Sequence, residues 1–103
     1  MNDTLTGTVY KVREENYTRK DGQVIPQRGI IVRVREITHA GRTFDDYIKL
    51  RASGPELAGQ ADALREGDRV TLRYALSGTL IADRETQEPG GDCFTRVTCL
   101  EIL

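Results

Sequence analysis

The sequence predicts an all-β domain with one short helix, arranged as a five-stranded barrel. Alternation of apolar and polar residues at period two runs through most of its segments. β-Branched residues are frequent in those segments. The elements also come in a particular order: three strands, a short helix, then two strands. A chain of 103 residues holds one domain over residues 1–103, with no room for a second independent core.

In the first strand Leu5, Gly7 and Val9 alternate, and Tyr10 and Val12 continue one residue out of phase. That slip predicts a bulge near Val9-Tyr10, a device that lets one strand serve two sheets of a small barrel. Glu14 to Arg28 reads as an arm, turning at Asp21-Gly22, with Thr18–Lys20 and Gln23–Ile25 as its short ribbon. The strongest strand runs from Gly29 to Thr38, with Ile30, Val32 and Val34 on one face and Ile31, Arg33, Arg35 and Ile37 on the other. After a tight connection at His39-Ala40-Gly41, the third strand spans Thr43 to Ala52. It groups Ile48, Leu50 and Ala52 against Tyr47, Lys49 and Arg51.

Ser53 is expected to cap a helix, with Pro55 in its first turn and Glu56 three residues past the cap. Leu57, Ala61 and Leu64 form its apolar stripe, and Gly67 is expected to end it. Val70, Leu72 and Tyr74 define a fourth strand, which Ser77-Gly78 should bend before Leu80. Asp83 to Asp92 reads as a hairpin loop, and Phe94 to Ile102 as the fifth strand. Phe44 and Phe94 are read as core residues; Tyr10 and Tyr74 fit either the core or sheet packing.

Composition narrows the class. The chain is 38% hydrophobic and 30% charged, with a net charge of −1. No signal peptide is evident and no apolar run reaches ten residues, so a cytoplasmic, non-membrane protein is expected. Charge is uneven: residues 1–51 carry ten Lys/Arg against seven Asp/Glu, and residues 52–103 five against nine. Cys93 and Cys99, if on one strand, stand roughly 20 Å apart. That is well beyond the roughly 7 Å a disulfide tolerates, so two free thiols are expected.

A meander, a helix plugging one end and a closing hairpin make up the order of the oligonucleotide/oligosaccharide-binding (OB) barrel. Within it, several segments resemble the single-strand DNA-binding protein family and its smaller primosomal relatives. They are Leu5-Thr6-Gly7-Thr8-Val9, Ile30-Ile31-Val32-Arg33-Val34 and Tyr47-Ile48-Lys49-Leu50, followed by Gly67-Asp68-Arg69-Val70 and Gly78-Thr79-Leu80. The resemblance spans nearly the whole chain. It implies a non-catalytic protein that binds single-stranded DNA. Two departures point to a phage, plasmid or accessory version: the sequence has no Trp, and Leu103 follows the last strand directly, where replicative members carry an acidic tail.

The expected site follows from alternation. Arg33, Arg35, Tyr47, Lys49 and Arg51 share one face of the hairpin between the second and third strands. Cations neutralise phosphates and an aromatic plane stacks a base, which is what a single strand requires. Tyr17, Arg19 and Lys20 on the arm, with Arg84 and Arg96 flanking the last loop, complete the candidate nucleic-acid-binding set. The same residues would also suit a plain solvated face, since exposed strands carry Lys and Arg to discourage edge-to-edge association. Asp45 and Asp46 sit beside this face, and only one of two consecutive strand residues can point into it.

Catalysis finds no constellation. The single histidine, His39, falls in a turn, no phosphate-cradling Gly-rich loop precedes a helix, and no Cys/His spacing suits a metal. The expectation is therefore no enzyme, no cofactor and no metal. The expected protein is a largely sequence-independent single-stranded DNA-binding homo-oligomer (dimer or tetramer), working with replication or conjugation proteins. The alternative is an OB module that binds proteins within such an assembly and does not itself touch nucleic acid.

Overall fold

In chain order the elements are β1 (Asn2–Glu14), β2 (Tyr17–Thr18), β3 (Val24–Ile25), β4 (Gln27–Ile37), β5 (Thr43–Ser53), α1 (Pro55–Asp62), β6 (Arg69–Ile81) and β7 (Asp92–Ile102). This computed structural model describes every residue except Met1, Thr38, His39, Asp83, Arg84, residues 86–89 and Gly91, and only the backbone of Ile37. The five long strands close into a barrel in the lateral order β1-β4-β5-β7-β6, and β2 and β3 pair separately as a ribbon. The architecture is the expected OB barrel: all-β, with one short helix.

β1 explains how the barrel closes. Its first half pairs with β6, from Asn2↔Ala75 to Thr8↔Arg69. Its second half pairs with β4, from Thr8↔Arg33 to Glu14↔Arg28. The register shifts between Val9 and Lys11, so the bulge foreseen from the slipped alternation is present, with Tyr10 as the extra residue. Closure on the other side is slight: β5 and β7 run parallel and meet only at Arg51↔Thr98.

The inward side chains of all five strands form the core. Val9, Ile30, Val32, Leu50, Leu72 and Cys99 are its largest fully buried members, and Ala61 of α1 covers one end. Each large aliphatic chain so buried contributes about 1.5–3 kcal/mol relative to exposure. Burial also pushes the Cys99 thiol above its ordinary pKa. Cys93 is exposed, and both thiols are free.

The principal extents are 45 × 40 × 20 Å and the radius of gyration is 16.3 Å, against about 13 Å for a compact chain of this size. Two protruding hairpins account for the excess. β1 reaches along β4 only to Arg33, so Val34–Ile37 and Thr43–Asp46 pair only with each other. The far halves of β6 and β7 likewise extend to Ile81↔Asp92. Phe44 and Phe94 lie on these extensions, 43% and 51% exposed, and are not core residues as alternation alone suggested. Tyr74 is half-buried against the core, whereas Tyr10 is exposed.

The helix differs from expectation at both ends. Its N-cap is Gly54, at φ 100°, with no side-chain cap. β5 runs through Ser53, whose hydroxyl donates to Gln27 Oε1 on the neighbouring strand, 3.1 Å away. The helix stops at Asp62, so Leu64 packs on the core from beyond its end, and Ala58 and Ala61 are the buried helical residues. Gly67, at φ 93°, serves the turn into β6. Asp62 accepts from Arg28 Nε at 2.8 Å and from Arg28 Nη2 at 3.2 Å, tying α1 to β4. That hydrogen-bonded guanidinium holds the Asp62 carboxyl below its ordinary pKa against the opposing effect of desolvation.

β6 is unbroken through Ser77-Gly78, contrary to the expected bend there. Its register shift with β7 falls between Arg73 and Tyr74. A Cβ at Gly78 would meet Cys93 Sγ and the Phe94 carbonyl oxygen at 3.4 Å, an ordinary contact, so the pairing of β6 with β7 does not depend on a glycine there. The loop expected from Asp83 to Asp92 and the turn residue His39 lie largely or wholly outside the described residues.

Candidate nucleic-acid interface

β4 and β5 pair without a break from Gln27↔Ser53 to Ile37↔Thr43. Ile30, Val32, Leu50 and Ala52 are fully buried. With a side-chain period of two, the intervening residues of both strands face outward together. Arg33 stands opposite Tyr47, Ile31 opposite Lys49, Gly29 opposite Arg51, and Arg35 opposite Asp45. The face expected from the sequence is therefore present.

Its charges are not equally available. Lys49 Nζ donates to Glu15 Oε2 at 2.7 Å, and Arg35 Nε to Asp45 Oδ1 at 3.1 Å. Asp45 is thus the acid that shares the face; Asp46 lies opposite Val34 on the other side of the sheet. Arg33 and Arg51 have no carboxylate partner among the described residues, so their full charge is available to solvent or a ligand.

β1 adds residues that the hairpin argument did not include. Past the Tyr10 bulge, Lys11 and Arg13 stand opposite Ile31 and Gly29, exposed and without carboxylate partners among the described residues. Tyr10 itself lies edge-on to Tyr47, with ring centroids 5.2 Å apart and planes at 72°, and each tyrosine is 54% exposed. Such an edge-to-face pair is a favoured arrangement for ring quadrupoles. The signal for Tyr10 was in the sequence: the slipped alternation that predicts the bulge also turns this ring outward.

On the other flank, β5 and β7 separate on the N-terminal side of the Arg51↔Thr98 bridge. The separation opens a groove of about 140 Å³ lined by Lys49, Arg51 and Phe94 to Thr98. Arg96 therefore does join Lys49 and Arg51. Its guanidinium lies 5.6 Å from the Phe94 ring centroid, and its Nη2 donates to Thr79 Oγ1 at 2.8 Å. Phe94, read from the sequence as core, is an exposed ring in this groove.

The remaining expected residues are placed differently. Tyr17, Arg19 and Lys20 are exposed on the β2–β3 ribbon, a sheet separate from the barrel. Glu15, at its root, is the residue that reaches the face. Arg84 lies outside the described residues. A hollow of about 540 Å³ lies between the start of α1 and the end of β7, and its lining residues include none of the candidate cations. Among the described residues, no group of three His, Cys, Asp or Glu side chains could hold a metal, and no helix is long and apolar enough to cross a membrane. The arrangement on the outer face, with unpaired guanidiniums between exposed rings, suits a polyanion that carries flat bases.

The sequence matches no protein-family model and no curated protein. Similar folds are found among solved structures. The protein PriB from Ralstonia solanacearum superposes with a TM-score of 0.63 at 11% identity, over 99% of this chain and 94% of that one. The SSB domain of a Synechococcus protein gives 0.60 at 18% identity, over 98% and 91%. A small single-stranded DNA binding protein from Mycoplasma pneumoniae gives 0.59 at 12% identity, over 99% and 90%. The resemblance read from the sequence is met by these structures at the level of the fold.

Proposed function

We propose that this chain is a non-catalytic single-stranded DNA-binding protein, largely independent of base sequence. The observation that carries the reading is the edge-to-face pair of exposed tyrosines, Tyr10 and Tyr47, beside the unpaired Arg33 on the outer face of the barrel. Bases stack on exposed rings whatever their identity, and guanidiniums take the phosphates. Arg51, Phe94 and Arg96 continue the same surface across the β5–β7 groove. Tyr17, Arg19 and Lys20, exposed on the ribbon, belong to the same proposed binding set. The named function of the three structural neighbours, where printed, is in keeping with this reading.

Homo-oligomerisation and a cytoplasmic role in replication or conjugation belong to the same proposal. β1 passes from β6 to β4 at Thr8, which leaves one backbone edge of residues 2–7 and one of residues 11–14 without a strand partner among the described residues; such edges can pair with a second copy. The test is fluorescence anisotropy of labelled oligo-dT at about 50 and 200 mM salt. With four phosphate contacts, affinity falls about fiftyfold between the two. No binding at the lower salt sinks the reading.

A second reading, an OB module that recognises proteins, is favoured by one observation. Leu80 and Ile81 are exposed at the end of the β6–β7 hairpin, where an apolar contact would be covered by a partner. It predicts that Arg33→Ala and Arg51→Ala leave function intact while Leu80→Asp removes it.

A further inference from the structure

Thr8 is the one residue of β1 in register with both of its neighbours, Arg33 on β4 and Arg69 on β6. Arg33 is in turn opposite Tyr47 on β5. One row across four adjacent strands therefore reads Arg69, Thr8, Arg33, Tyr47, all on the outer face. Laterally paired residues have Cβ atoms about 4.5–5.5 Å apart, so the two arginine side chains start from positions on either side of one threonine. A hollow of about 170 Å³ opens at this point, lined by Thr6 to Thr8, Arg33 to Arg35 and Arg69.

The electrostatics of the row are unbalanced. Neither Arg33 nor Arg69 has a carboxylate partner among the described residues, although Arg35 beside them is held by Asp45 and Arg73, further along β6, by Glu101 at 3.2 Å. Glu66 lines an adjoining hollow with Arg33 and Tyr10, yet forms no ion pair with it. Two like charges starting from either side of one threonine, left unneutralised where neighbouring arginines are paired, leave a place for an anion with several acceptor oxygens. Guanidinium groups and a hydroxyl donate the hydrogen bonds that a phosphate accepts.

We propose that Arg69, Thr8 and Arg33 form a phosphate seat, occupied by a phosphodiester of the same single strand whose adjacent base lies on Tyr47 and Tyr10. The proposal rests on the single-strand reading above and extends it. The nucleic acid does not stop at the β4–β5 hairpin; it crosses β1 at the bulge and ends over β6. Arg69 is then a binding residue that lies outside the expected face, and Tyr10 is placed by the bulge between base and backbone positions.

The experiment is an oligo-dT titration from about 50 to 200 mM salt with the intact protein and with Arg69→Gln, Arg51→Gln and Arg73→Gln. One lost phosphate contact lowers the slope of log affinity against log salt by about 0.7, which weakens binding about eightfold at 50 mM and about threefold at 200 mM. Arg69→Gln is expected to show that change, and Thr8→Val a smaller loss with the slope retained. Arg73→Gln, on the same strand and face but neutralised, is expected to bind as the unaltered protein does. If the unaltered protein binds and Arg51→Gln weakens it while Arg69→Gln changes neither slope nor affinity, the seat does not exist and the hairpin face stands alone. If Arg73→Gln matches Arg69→Gln, the effect is general charge and the seat again fails. If the unaltered protein does not bind, the parent reading fails. Circular dichroism of Arg69→Gln checks that this exposed substitution leaves the barrel folded.

Discussion

Lys49 Nζ donates to Glu15 Oε2 at 2.7 Å, and the two side chains meet over Gly29. A Cβ on Gly29 would overlap the Glu15 carboxylate and lie 2.6 Å from Lys49 Cε. The root of the ribbon thus places a carboxylate on the cationic face, in competition with any phosphate for Lys49.

Glu15→Gln removes that competitor. Freed, Lys49 adds about one phosphate contact, so oligo-dT affinity rises by up to about eightfold at 50 mM salt and the salt slope steepens by about 0.7. Folding stability changes by at most about 1 kcal/mol, the usual range for an exposed ion pair. Anisotropy titrations at several salt concentrations decide it. An unchanged slope would mean that no phosphate approaches Lys49.

Tyr47→Ala tests stacking apart from charge. Loss of a base–aromatic stack costs about 1–3 kcal/mol, a fivefold to 150-fold weakening at constant salt slope, while Tyr47→Phe retains most of the affinity. Tyr10→Ala is expected to act through the same pair. The double substitution should therefore cost less than the sum of the single ones, a coupling that a double-mutant cycle measures directly. Additive losses would show that the two rings serve separate bases or none.

Two glycines separate backbone crowding from helix propensity. At Gly7 a Cβ would come 2.5 Å from the Arg33 carbonyl oxygen and 2.6 Å from Val32 Cγ1, and the carbonyl belongs to a paired strand that cannot swing aside. Gly7→Ala is expected to destabilise by about 1–3 kcal/mol. Gly59 in α1 has open space around it, so Gly59→Ala is expected to stabilise by about 0.5–1 kcal/mol. Urea unfolding midpoints with opposite shifts would bear both out.

The barrel was legible in the sequence because its core is written at period two: Ile30-Val32 and Leu50-Ala52 identify their strands and leave Arg33, Tyr47 and Arg51 outside. The bulge was legible for the same reason, as a slip in phase. Three things were not. Alternation separates two faces but not a barrel wall from a hairpin that outruns it, so Phe44 and Phe94 looked like core. Pairing partners are set by register, which no single strand displays, so the Thr8 row that joins Arg33 to Arg69 was invisible. Whether a cation is free depends on the acid beside it in space. Glu15 and Lys49 stand 34 residues apart, and only the fold brings them together.

The Arg28–Asp62 contact sets the response of the fold to acid. Arg28 donates to both Asp62 oxygens and, through Nη1, to Asn16 Oδ1 at 2.8 Å, so one guanidinium joins β4, α1 and the root of the ribbon. The Asp62 carboxyl is held below its ordinary value of 3.8 chiefly by the hydrogen bond from Arg28. A carboxyl whose pKa is depressed on folding stabilises the native state fully above its unfolded value and loses that contribution as the pH falls through the lower, folded value. Arg28 is charged at every relevant pH and adds no window of its own. Stability is therefore expected to be flat with respect to this pair above about pH 5 and to decline as the pH drops below about 4. Asp62→Asn keeps the shape but cannot titrate. It should lower the thermal midpoint at neutral pH and narrow its difference from the unaltered protein as the solution is acidified. A constant difference across that range would show that the contact contributes packing alone, with no titrating charge behind it.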